Sequence, residues 1–107
     1  MSETTAFIVH LPGKPEHREE IEEKLRHVLD QMSREPDFIN TYLHRSVEDP
    51  DTLVLYETWA CSEAYFKSYH LSRPYRQAYE AALPGLLKAA RTLEFLAPVR
   101  SYVRAGK

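Results

Sequence analysis

Apolar and β-branched residues crowd into positions 5–11, Thr-Ala-Phe-Ile-Val-His-Leu, and are cut off by Pro12-Gly13, which predicts a strand closed by a turn. The period then changes. Ile21, Leu25, Val28, Leu29 and Met32 recur at helical spacing behind Pro15 and the acidic Glu16, Glu19 and Glu20, while Glu22, Glu23, Arg26 and Asp30 take the opposite side. A surface helix with one buried stripe is expected there, ending before Pro36. Residues 38–47 and 52–59 are β-rich runs joined by Glu48-Asp49-Pro50-Asp51, the composition of a hairpin turn. Ser62 offers an N-cap to a helix bearing Tyr65, Phe66 and Tyr69, and Ser72 with Pro74 marks a restart. Tyr75, Ala78, Tyr79, Ala82 and Leu83 carry the stripe onward until Pro84-Gly85 interrupts it, and residues 91–103 read as a last strand broken by Pro98.

The element order is βαββαβ, so the expected fold class is α+β: a ferredoxin-like antiparallel sheet with helices on one face. Alternation in the third strand puts Leu53, Leu55, Glu57 and Trp59 on one face and Val54, Tyr56 and Thr58 on the other. Both faces are apolar, yet the helices cover one. The uncovered face predicts a homodimer packed sheet to sheet. At 107 residues the chain fits a single domain over 1–107, with its core over about 5–103.

Composition narrows the partners. Fourteen basic against sixteen acidic residues give a net charge of -2, so no general positive field draws nucleic acid or anionic lipid. No apolar run is long enough to span a bilayer and the start of the chain lacks a signal-peptide pattern, so no membrane partner is expected. The one cysteine, Cys61, forms no internal disulfide, and a cytoplasmic location follows as the expectation. Three glycines without a glycine-rich loop argue against nucleotide cofactors, and five histidines without an HxxxH pair argue against a metal centre.

His70 is the foremost candidate for chemistry, because an imidazole titrates near neutrality and moves protons in either direction. Trp59 supplies a flat apolar wall with one N–H donor, suited to an aromatic guest. Glu57 shares its sheet face, where a carboxylate must find a partner or hold its proton. Tyr65, Phe66, Tyr69, Tyr75 and Tyr79 bring five rings to the second helical region. Tyr42 and His44 share a face of their strand and are expected to look into the same pocket.

Across nearly its whole length the chain resembles the antibiotic biosynthesis monooxygenase family of small dimeric α/β-barrel proteins. The likeness is carried, in order, by Leu11-Pro12-Gly13, a helix running to Glu35, Glu48-Asp49-Pro50, Tyr56-Glu57-Thr58-Trp59, and His70-Leu71-Ser72-Arg73-Pro74-Tyr75. It implies a joint β-barrel between two subunits and a pocket between each sheet and its own helices. The family's cofactor-free oxygenases carry a strand-ending Trp, matched by Trp59, and a following Tyr, matched by Tyr65; their Asn position falls on Leu55. Its haem-degrading members carry an Asn on the first strand, absent here.

The resemblance thus implies a cofactor-independent monooxygenase for a small aromatic phenol or quinol. His70 and Trp59 are its catalytic candidates, and Tyr65, Glu57, Phe66, His44, Tyr42 and Leu55 line the substrate site, with neither metal nor cofactor. An isomerase or other proton-transfer enzyme for a small carbonyl compound is the first alternative. A non-enzymatic dimer that binds an aromatic ligand or haem is the second.

Overall fold

In the computed structural model, which describes residues 3–105, alternate positions of strand β1 (Thr5–Pro12) are buried: Thr5, Phe7, Val9 and Leu11. A single 3-10 turn, Pro15–His17, leads into α1 (Arg18–Met32), whose buried residues are Ile21, Leu25, Val28 and Met32, the stripe read from the sequence. Strands β2 (Phe38–Arg45) and β3 (Thr52–Trp59) form the hairpin, with Asp49 tying its turn through a carboxylate that accepts from the Thr52 hydroxyl at 2.7 Å. Helix α2 (Glu63–Ser68) is followed by two 3-10 turns, His70–Ser72 and Pro74–Arg76, then α3 (Gln77–Leu86) and β4 (Thr92–Leu96).

The four strands stand in the order β2-β3-β1-β4, all pairs antiparallel, which is the ferredoxin-like α+β arrangement. One face, carrying Phe7, Val9, Leu11, Leu53, Leu55 and Trp59, packs with Ile21, Leu25, Val28, Phe66 and Leu83 of the helices into one core. On the opposite face Tyr42 pairs with Tyr56 and His44 with Val54.

Three boundaries differ from expectation. Helix α3 runs through Pro84 to Leu86 rather than breaking there, and the ladder continues beyond it as the Leu87 N–H donates to the Leu83 carbonyl at 3.0 Å. Pro84 forgoes its own ladder bond and crowds the carbonyl one turn back, but it sits in the last turn, where the helix still closes through Leu87. The last strand spans Thr92–Leu96, its final pair being Leu96 with Ala6, rather than running over 91–103. The second strand ends at Arg45, two residues before the expected 47.

Gly13 makes the turn after β1 possible. Its N–H donates to the Asp51 carbonyl, and a Cβ there would lie 2.7 Å from both that oxygen and Ile21 Cδ1.

Candidate active site

The site is assembled where the ends of β2 and β3 meet the joint between α2 and α3. Phe38 pairs with Trp59, so the residue before one strand lies beside the residues after the other, and the Ala60 N–H donates to the Asp37 carbonyl at 2.7 Å. The Thr5 hydroxyl fixes the next residue by donating to the Cys61 carbonyl at 2.6 Å. Ser62 then caps α2, its hydroxyl accepting from the Tyr65 N–H. The helix delivers Phe66 into the core and ends at Tyr69, and the tight turn that follows points His70 inward. From the far side Glu35, just after α1, accepts from Arg73 Nε at 2.9 Å and from the Tyr75 hydroxyl at 2.8 Å, clamping the joint in place.

His70 is 2% exposed. Its Nε2 lies 2.9 Å from Asp37 Oδ2, while Nδ1 is buried and meets no partner among the described residues. Where the carboxylate accepts, Nε2 carries the hydrogen, and the tautomer this selects has its acceptor lone pair on Nδ1. Rings enclose it: Trp59 at 4.4 Å between centroids, Tyr69 at 4.9 Å, Tyr65 at 5.6 Å and Phe66 at 5.8 Å. Trp59 is wholly buried and donates through Nε1 to Glu57 Oε1 at 3.0 Å. Burial lifts the Glu57 carboxyl above its ordinary value, outweighing the indole N–H and the Arg76 charge that oppose it.

Beneath the helices lies a cavity of about 20 Å³, room for a single water. Glu57, Leu55, Phe66, Leu71, Arg76 and Tyr79 are among its lining residues; His70 and Trp59 are not. Phe66 contacts both the His70–Trp59 pair and the cavity, and so forms the partition between them. The buried Arg76 donates to Glu80 at 3.0 Å, and its Nε meets no partner among the described residues.

Of the residues singled out from the sequence, His70, Trp59, Glu57 and Phe66 converge, with Leu55 on the cavity wall. Tyr65 is half exposed and stacks on Tyr69 at the rim. Tyr42 and His44 are corrected: they lie on the helix-free face, away from His70. A register shift between Phe38 and Asn40 is the cause, since it changes which alternate residues face the helices, giving that face to Thr41 and Leu43. Asp37 was missed. Its signal lay in the hairpin register, which sets position 37 beside residues 60 and 61.

Comparison with known proteins agrees with this architecture. Residues 6–81 match the family described as "Antibiotic biosynthesis monooxygenase", and the chain belongs to that family. Rv0793 from Mycobacterium tuberculosis superposes with a TM-score of 0.82 at 21% identity, covering 94% of this chain and 100% of its own. Candidate antibiotic biosynthesis monooxygenases are similar at TM-scores of 0.81 and 0.80. The one from Nitrosomonas europaea has 19% identity, with 92% of this chain and 93% of the other covered. The one from Caulobacter crescentus has 21% identity, with 92% of each covered. At these identities the likeness speaks for the fold. No curated protein matches the sequence at a significant level. Among the described residues no helix is long and apolar enough to cross a membrane.

Proposed function

We propose that the protein is a cofactor-independent monooxygenase acting on a small aromatic phenol or quinol, with the Asp37–His70 pair as its base. One observation carries the reading: a carboxylate 2.9 Å from Nε2 orients a buried imidazole whose other nitrogen meets no partner among the described residues, its ring tilted 42° to the neighbouring indole. That is a base with its orienting partner, which general-base chemistry requires.

In this reaction Nδ1 takes the phenolic proton. The electron-rich anion passes one electron to oxygen, and recombination of the two radicals forms a C–O bond. Loss of the ring C–H proton and cleavage of the O–O bond leave a carbonyl and one water, so the substrate supplies every electron. Trp59 and Phe66 exclude water from the anion. Leu55 stands where the family's oxygenases carry an amide, and the indole N–H is already given to Glu57, so the anion is held by its aromatic surroundings rather than by a side-chain amide. The enzyme works as a homodimer through its helix-free sheet face.

Oxygen uptake over a panel of hydroquinones and naphthols tests this. Wild type should consume oxygen, His70→Ala should lose on the order of 10²- to 10⁴-fold in rate, and Asp37→Asn should fall between them. Absence of uptake on every compound, or an undiminished His70→Ala rate, overturns it. The cavity of about 20 Å³ favours a second reading, a dimer that binds no substrate. It predicts that no panel compound raises the melting temperature. Hydrogen exchange from solvent into a carbonyl compound without oxygen would instead mark a proton-transfer enzyme.

A further inference from the structure

Behind the base lies a third group that the oxygenase reading leaves idle. The Cys61 sulfur, an Asp37 oxygen and a His70 nitrogen all lie within 4.8 Å of one another. Ligands around a tetrahedral zinc, bound at roughly 2.0–2.3 Å, stand about 3.3–3.8 Å apart. A contraction of about an ångström therefore brings this trio to ligand distance.

The backbone already holds two of the three. Asp37 is pinned by the Ala60 N–H and Cys61 by the Thr5 hydroxyl, each through its backbone carbonyl, while the His70 ring, 2% exposed, already holds Nε2 2.9 Å from Asp37 Oδ2. Charge points the same way. The carboxylates of Asp37 and Glu3 act on the buried thiol, and among the described residues Asp37 is paired with no lysine or arginine, so the cluster lacks a cation. The Asp37 side chain keeps about a third of its surface open, which gives an ion a way in.

We propose that Asp37, Cys61 and His70 form a three-ligand site for a zinc-class divalent cation, and that occupancy silences the base. Thiolate, imidazole and carboxylate together suit zinc rather than magnesium or calcium. Binding forms Zn–S, Zn–N and Zn–O bonds. Cys61 releases its thiol proton to solvent, and the His70 hydrogen moves from Nε2 to Nδ1 as Nε2 takes the metal. Nδ1 then no longer accepts a proton. This second half rests on the base assignment above; the binding half does not.

Metal-stripped protein should be titrated with zinc against a chromogenic chelator, and separately with cobalt. One zinc per chain is expected, weakened at least tenfold in both Cys61→Ser and Asp37→Asn, and cobalt should give a thiolate charge-transfer band that Cys61→Ser lacks. Circular dichroism checks that each variant is folded. Binding that is absent, far from one per chain, or undiminished in folded Cys61→Ser and Asp37→Asn overturns the site. Zinc should then abolish oxygen uptake by wild type but spare Cys61→Ser. Full uptake by zinc-loaded wild type overturns the silencing, whereas a chain that binds zinc as expected yet never consumes oxygen keeps the site and loses the oxygenase.

Discussion

Glu57 is a carboxylate held by one indole N–H in an apolar wall, with the Arg76 charge and the Tyr79 ring on the helix side. Because burial raises its folded-state value, the native protein binds this proton more tightly than the unfolded chain does. Its contribution is fully present below the ordinary carboxylate range and is lost as pH climbs through the raised value. Glu57→Gln keeps an oxygen to accept from Trp59 and removes the titration. Its urea midpoint should match wild type at acid pH and exceed it increasingly toward pH 8; parallel midpoints at every pH would deny the raised value. Glu57 and Trp59 were legible, since strict alternation along β3 set both on the buried face. The Asp37 contact was not, because the two partners stand 33 positions apart and meet through strand pairing. Tyr42 and His44 do share a face, but alternation alone does not say which side of the sheet that face is on, and the register shift between Phe38 and Asn40 sets it on the helix-free side.

At the level of elements, α2 has six residues and depends on its ends. An isolated helix of that length does not form in water, so its cap and its buried Phe66 must hold it. Ser62→Ala removes the cap and should cost about 1 kcal/mol, read as a lower melting temperature and as faster amide exchange confined to α2 and the His70 turn. Exchange spread evenly over the sheet would contradict that. Helix and strand cores were readable from their periods, and β3 was placed at both ends. Termini were not: α3 tolerates Pro84, and β4 leaves the sheet after Leu96, short of the apolar residues that follow it in the sequence.

For the whole molecule, the unequal covering of the sheet decides most. One face is sealed by helices, while on the other Tyr42 and Tyr56 stand directly opposite each other, both exposed, beside Ile8 and Val54. If two subunits join there, the pair Tyr42→Glu with Tyr56→Glu sets like charges side by side in the interface and should yield monomers by light scattering while leaving the circular dichroism unchanged. A dimer that persists in the doubly charged variant would locate the interface elsewhere. The succession of elements along the chain and the two-sided pattern of β3 were both visible in the sequence, since they follow from the spacing of apolar positions. The fineness of the interior was not, for a hollow one water wide depends on side-chain fit rather than on pattern. That hollow carries a consequence for how such a protein chooses its guests. No bicyclic molecule fits a space that small, so if the proposed aromatic substrate enters there, the side chains that line it, Phe66 and Leu71 among them, must first move apart, and the work of parting them weighs against every larger ring system.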